Sequence, residues 1–172
     1  FVFACAIVTL ADAAKPRWTP VDPADLAATE CAAAPGTDTE IIFSRHVLSG
    51  DSTQNHIRAK IYTRKGVENL SLLSIDHGTG SEISDLAARL VKVNGATVEL
   101  TKADFHESVR WKQGSSKGKR TSFALPNIEP GDVIEYSWNQ EVPLLLFGYH
   151  RVFCQAENVF TREYTFEAKS TQ

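Results

Sequence analysis

The stretch "FALPNIEPGDVIEYSW", residues 123–138, carries the clearest structural pattern of the chain. Residues 129–132 read Glu-Pro-Gly-Asp, with Pro at the second and Gly at the third position, as a type II turn requires. After this turn Ile134, Tyr136 and Trp138 alternate with polar residues, which predicts a strand with one buried face. Folding requirements explain each of these residues, so the stretch predicts a turn and a core strand and not the wall of an active site.

The alternation of apolar and polar residues that marks this strand continues over most of the chain. In "HIRAKIYTR", residues 56–64, apolar and polar side chains alternate, which predicts an antiparallel strand with its polar face exposed. Lys65-Gly66 is expected to turn the chain. Asn94-Gly95, between "LVKV" and "ATVEL", predicts a hairpin, and we expect a turn of helix near Asp85.

A second hairpin is predicted between "FHESVRWKQ" and "KRTSFALP", across a glycine- and serine-containing loop. With the other strand-like segments this makes about nine short strands with frequent turn signals. The pattern predicts an all-β domain over residues 39–172, folded as an antiparallel β-sandwich.

The N-terminal segment has a different composition. Residues 1–13, "FVFACAIVTLADA", are an apolar run that ends in Ala11-Asp12-Ala13, which is typical of the end of a signal peptide. The run is too short to span a bilayer as a helix. We expect a signal peptide whose first residues are missing, and hence export to the periplasm or the medium; a buried first strand is the alternative.

Residues 14–38 are predicted to form a lead-in to the β domain with one short helix. Asp22 or Pro23 is expected to open this helix, Ala24–Ala33 to form its body, and Pro35-Gly36 to end it.

Two cysteines, Cys31 and Cys154, follow the predicted signal peptide. An oxidising compartment permits a disulfide between them. In the chain-entropy description, closing so long a loop would stabilise the fold by roughly 4–5 kcal/mol. The sequence leaves open the alternative of two buried, unpaired thiols.

Composition and motifs give little support for catalysis. The 172 residues carry a net charge of -3, which offers no overall attraction for nucleic acid or an anionic membrane. No P-loop, G-x-G-x-x-G, G-x-S-x-G or C-x-x-C motif occurs, and no histidine stands at metal-ligand spacing. We therefore expect no cofactor, no metal and no catalytic residue. His77 and His106-Glu107 are interpreted as strand-end residues, and a hydrolase built on Cys154 and a histidine is the least favoured alternative.

The one cluster of like charge surrounds "WKQGSSKGKR", residues 111–120. Arg110, Trp111 and Lys112 are candidates for contact with a partner, because Trp111 stands between two cations and is expected to be exposed. A solvated hairpin tip without a ligand is the alternative interpretation. A glycan-binding surface is a further alternative, and it requires Trp111 or Tyr149 to be exposed beside carboxylates or amides.

Three segments in this order, "IYTRKGVENLSLLSID", "SEISDLAARLVKVNGATVEL" and "KRTSFALPNIEPGDVIEYSW", resemble a bacterial family of unknown function. Proteins of that family carry the domain just before a transglutaminase-like, papain-fold domain and are exported. The resemblance extends from about Pro20 to the end of the chain. It implies a non-catalytic accessory β-sandwich, whose partner is a downstream transglutaminase-like domain of the same polypeptide, or else a peptide or an envelope component.

Overall fold

The computed structural model describes residues 18–141 and 159–169, which form two β-sheets, two short helices and a 3-10 turn. The helices are α1 (Pro23–Ala27) and α2 (Arg64–Leu70), and the 3-10 turn covers Lys102–Asp104. The strands are β1 (Thr39–Ser49), β2 (Ser52–Ile61), β3 (Leu73–Gly78), β4 (Ile83–Val91), β5 (Thr97–Glu99), β6 (His106–Gln113), β7 (Ser116–Phe123), β8 (Val133–Glu141), β9 (Val159–Thr161) and β10 (Tyr164–Lys169).

The larger sheet has the strand order β10-β1-β2-β8-β4-β5, and β9 also pairs with β1. Most of its pairs are antiparallel, but β1 runs parallel to both β9 and β10. The predicted purely antiparallel arrangement is therefore wrong at this edge, and the described residues contain ten strands where about nine were expected. Parallel strands need a long connection, so short-range turn signals could not reveal this pairing.

The smaller sheet consists of β3, β7 and β6 in that order, all antiparallel. Ile75 and Phe123 of this sheet belong to one apolar cluster with Ala88 of the larger sheet. Tyr136 and Trp138 pack against the same cluster, with their rings stacked 5.7 Å apart. Side chains of both sheets thus share a core, and the prediction that the face of Tyr136 and Trp138 is directed inward is confirmed.

The predicted turns around this core are confirmed. Gly131 has a φ of +97°, and the amide of Asp132 donates to the carbonyl of Glu129 at 3.2 Å. At the Asn94-Gly95 hairpin, Gly95 has a φ of +82°. The β6–β7 hairpin forms across Gly114, as expected from the sequence.

Three local predictions need correction. Helix α1 ends at Ala27 and not at Ala33, because a short alanine-rich segment has little helical stability of its own. Lys65-Gly66 does not turn the chain but lies in α2, whose first turn is capped by the Thr63 hydroxyl, which accepts from the Gly66 amide at 3.1 Å. Asp85 belongs to β4, where a bulge and a positive φ replace the predicted helical turn.

The polar face of β2 was expected to be exposed, and that prediction is wrong. Arg58 and Lys60 are 5% and 1% exposed. The lead-in crosses this face of the sheet: Arg58 Nη2 donates to the carbonyl of Thr19 at 2.6 Å, and Lys60 Nζ donates to that of Leu26 at 2.9 Å. Buried cations need such partners, so the lead-in and the sheet depend on each other.

The predicted signal peptide (residues 1–13), Tyr149 and Cys154 lie outside the described residues. Cys31 is buried in the lead-in, and its pairing with Cys154 stays a prediction. Within residues 18–141 and 159–169, no helix has the length and apolar character needed to cross a membrane.

Candidate functional site

An open cleft of about 460 Å³ lies on the smaller sheet, where β3 ends and β7 begins. Its walls are residues 76–79, residues 116–119, and Arg110 and Trp111 of β6. The cleft lies at the basic hairpin that the sequence singled out, so the folded chain brings two of the three candidate contact residues to one surface.

A β-bulge places both of these residues in the cleft. The pairing of β6 with β7 shifts between Val109 and Trp111, which leaves Arg110 as the extra residue. Neighbouring side chains of a regular strand point to opposite faces, and a bulge breaks this alternation. Arg110 and Trp111 can therefore line the same cleft. Lys112 follows on the same strand, exposed but outside the lining.

Gly118 forms the floor under the indole of Trp111, and Gly78 packs closely against the neighbouring strand. A Cβ at Gly118 would overlap the Nε1 and Cε2 atoms of Trp111, so the ring lies directly on the backbone of β7. A Cβ at Gly78 would come within 2.6 Å of the carbonyl of Lys117. The side chain of Trp111 nevertheless stays 55% exposed, which leaves a flat aromatic surface open to a ligand.

The cleft is electropositive. Arg120 binds Asp76 with two hydrogen bonds of 2.6 and 2.7 Å, and these bonds hold the pKa of the Asp76 carboxyl below its usual range. Within the described ranges no salt bridge involves Arg110, Lys112 or Lys117. An anionic ligand would meet Arg110 and Lys117 in the cleft and Lys112 beside it, while the one carboxylate among the lining residues, Asp76, is paired with Arg120.

Strand β6 is also an edge strand. It pairs with β7 on one side, no described strand pairs with its other side, and all eight of its residues are exposed. Bulges and cationic side chains often protect exposed sheet edges from unwanted pairing. Here Arg110 forms the bulge, and Arg110 and Lys112 are the cations. The half of the strand before the bulge, His106–Val109, keeps a regular register.

The sequence missed a second group of polar side chains beside this cleft. His77 was interpreted as a strand-end residue; it does end β3, but its imidazole is buried between the side chains of Glu82 and Glu107. These residues come from three segments that only the sheet brings together. Residue spacing therefore held no signal for the cluster.

The fold and the cleft define a class: a mostly β, two-sheet domain with an open polar groove on the smaller sheet. Residues 50–172 match DUF3857, a domain of unknown function with a solved structure, and the chain belongs to this family. No curated protein matches the sequence.

Among solved structures, the chain is similar to a candidate protease from Parabacteroides distasonis ATCC 8503, whose crystal structure was determined at 2.00 Å. The TM-score is 0.51 at 12% sequence identity, over 61% of this chain and 23% of the other. At this identity the likeness concerns the fold alone. The matched part spans less than a quarter of the larger protein.

Proposed function

We propose that the chain is a non-catalytic accessory β-sandwich of an exported protein, and that its smaller sheet binds an extended acidic polypeptide segment. A downstream transglutaminase-like or protease-like domain of the same polypeptide would supply catalysis, in the periplasm or outside the cell. Membership of DUF3857 and the likeness to part of a larger candidate protease support an accessory role.

The observation that carries this proposal is that no described strand pairs with the second side of β6. An edge strand offers unpaired backbone amides and carbonyls to an incoming strand, which gains affinity from main-chain hydrogen bonds and specificity from neighbouring side chains. The regular half of β6 offers the hydrogen bonds, and the Trp111 surface beyond the bulge offers an apolar contact.

The charge of the cleft defines the class of segment. Arg110 and Lys117 line the cleft, and Lys112 lies next to it on β6. None of the three has a salt-bridge partner among the described residues, so acidic side chains on the segment would be attracted. The segment could come from the downstream domain or from an envelope protein, and both sources share this chemistry.

A short synthetic peptide of alternating Thr and Glu tests the proposal, with a Thr-Lys peptide as its charge-reversed control. We expect the acidic peptide to shift the NMR amide signals of β6 and β7 and the basic peptide to leave them unchanged. Arg110→Gln should weaken binding by about tenfold, which corresponds to about 1.4 kcal/mol. Lys102→Gln, at an exposed lysine of the 3-10 turn, is the matched control and should bind like the wild type.

Shifts in other strands, or equal binding by Arg110→Gln and the wild type, would contradict the proposal. The source of the segment is distinguished by adding the purified downstream domain or an envelope extract in place of the peptide. Only the protein that contains the natural segment should displace the bound acidic peptide.

Glycan binding is the second candidate, and the exposed indole of Trp111 beside the carboxylate of Asp76 favours it. Sugars stack on aromatic rings and hydrogen-bond to carboxylates. A soluble chitooligosaccharide would then shift the signal of the Trp111 indole and lose binding in Trp111→Ala, while Arg110→Gln would leave its binding unchanged. These results would support glycan binding at the cleft and contradict peptide binding.

A further inference from the structure

His77, Glu82 and Glu107 converge beside the cleft from three different segments. His77 lies near the end of β3, Glu82 in the connection to β4, and Glu107 near the start of β6. One nitrogen or oxygen atom from each side chain lies within 4.8 Å of the other two. The sheet itself builds this cluster, because β7 holds β3 and β6 on either side of it.

The two ring nitrogens of His77 have different surroundings, which leave one of them available to bind a ligand. Its side chain is 1% exposed, and its Nε2 lies 3.0 Å from the hydroxyl of Thr121. A proton on Nε2, donated to Thr121, leaves a lone pair on Nδ1. Nδ1 is buried, and none of the residues that the structure describes forms a hydrogen bond with it. Histidines that bind metals show this arrangement, with the second nitrogen fixed by a hydrogen bond.

The carboxylates are placed to complete a coordination shell. Oε2 of Glu82 lies 3.6 Å from Nδ1 of His77. Two ligands about 2.1 Å from a tetrahedral Zn²⁺ lie about 3.4 Å apart, so a cation fits between these atoms with a small adjustment. Oε2 of Glu107 lies 3.5 Å from Nε2, and this half-exposed side chain can turn toward Nδ1.

Lys119 occupies the cation position between the two glutamates. Its Nζ lies 3.3 Å from Glu82 Oε2 and 3.3 Å from Glu107 Oε1. The ammonium offsets the two carboxylates, but among the described residues neither Lys119 nor any other group donates to Nδ1 of His77. A metal ion satisfies all three groups at once.

We propose that His77, Glu82 and Glu107 form a binding site for a divalent transition-metal cation of the Zn²⁺ type, which displaces Lys119 on binding. One imidazole and two carboxylates suit Zn²⁺ or Mn²⁺ better than the all-oxygen shells of Mg²⁺ and Ca²⁺. The bound ion would join the β3–β4 connection to the edge strand β6. The proposal is independent of peptide or glycan binding at the neighbouring cleft.

The test is a titration of the full chain with Co²⁺, whose visible spectrum reports coordination, followed by competition with Zn²⁺. We expect one equivalent of Co²⁺ to bind and Zn²⁺ to displace it. Glu82→Gln and Glu107→Gln, both at half-exposed positions that tolerate an amide, should each weaken binding by about tenfold or more. His106→Gln removes a histidine next to Glu107 and serves as the matched control, with wild-type affinity expected.

Lys119→Gln separates a metal site from an ion-pair cluster. Removing the competing ammonium should strengthen Co²⁺ binding, and Zn²⁺ should raise the melting temperature of this variant and of the wild type but not of Glu107→Gln. Three results would overturn the proposal: no binding by Lys119→Gln, unchanged affinity in both glutamate variants, or a thiolate-to-cobalt charge-transfer band, which would place the ion on a cysteine.

Discussion

Arg58 Nη2 donates to Oε1 of Glu135 at 2.8 Å, and the two side chains are 6% and 0% exposed. Arg89 binds the other carboxylate oxygen with bonds of 2.6 and 2.9 Å, and His56 Nε2 lies 2.7 Å from Oε1. The carboxylate of Glu135 is thus surrounded by two guanidinium groups and an imidazole, below the point where Thr19 of the lead-in covers the sheet.

Glu135→Gln is expected to destabilise the fold by about 3–5 kcal/mol, because it leaves the buried Arg58 and the partly buried Arg89 without a counter-charge. Urea denaturation followed by circular dichroism measures this change in the free energy of unfolding. Glu163→Gln is the matched control: its pair with Arg45 is about half exposed, and we expect a loss below about 1 kcal/mol. Similar losses in the two variants would contradict the importance of burial here.

The same carboxylate should make stability depend on pH. Burial raises the pKa of Glu135, but the hydrogen bond from His56, the charge of Arg58 and the hydrogen bonds from Arg89 and Arg58 outweigh it and hold the pKa below its usual range. A carboxyl whose pKa is lower in the folded state contributes stability above its unfolded pKa, and this contribution is lost as the pH falls through the folded value.

We therefore expect the free energy of unfolding of the wild type to fall from about pH 5 downward, more steeply than that of Glu135→Gln. Urea melts of both proteins between pH 7 and pH 3 measure the two slopes. Glu135→Gln should keep part of the acid sensitivity, because Glu40, buried but hydrogen-bonded to Arg162 and Tyr62, also has a lowered pKa. Parallel curves for the two proteins would contradict this prediction.

The parts of the fold that the sequence predicted are those set by local chemistry. Pro130-Gly131 and Asn94-Gly95 form the expected turns because their backbone requirements are nearly context-free. Arg58, Lys60 and Glu135 were misjudged for the opposite reason. Their burial depends on a lead-in segment that is 38 residues from Arg58 in the chain and farther still from Glu135, and alternation alone cannot show what covers a polar face.

In the candidate site too, local features were predictable from the sequence and features set by strand pairing were not. The exposure of Trp111 was predictable from its two cationic neighbours, and the exposed fraction of 55% agrees with it. The bulge at Arg110 and the glycine floor at Gly118 depend on the pairing of β6 with β7 and left no separate signal. The cluster of His77 with two glutamates required the order of three strands, which is a tertiary property.

Gly66→Ala should destabilise the protein although Ala is the better helix former by about 1 kcal/mol. Gly66 lies in the first turn of α2, and an added Cβ would overlap the carbonyl of Asp38 and come within 2.9 Å of Thr39 Oγ1. We expect a loss of about 1–3 kcal/mol from this overpacking, measured by urea denaturation. Asn69→Ala, at an exposed position of the same helix, should be neutral or slightly stabilising; a stabilising Gly66→Ala would show that α2 does not approach the start of β1 so closely.

Gly118→Ala should move the indole of Trp111 off the floor of the cleft, because the new methyl group would occupy the position of its Nε1 and Cε2 atoms. The chain contains three tryptophans, so fluorine NMR of 5-fluorotryptophan-labelled protein gives three signals, and Trp111→Phe assigns one of them. Only this signal should shift in Gly118→Ala, with Trp18 and Trp138 unchanged, and binding of the acidic peptide should weaken. Ser122→Ala, on the same strand but outside the cleft lining, is the control and should leave all three signals in place. An unshifted Trp111 signal in Gly118→Ala would mean that the indole does not rest on Gly118.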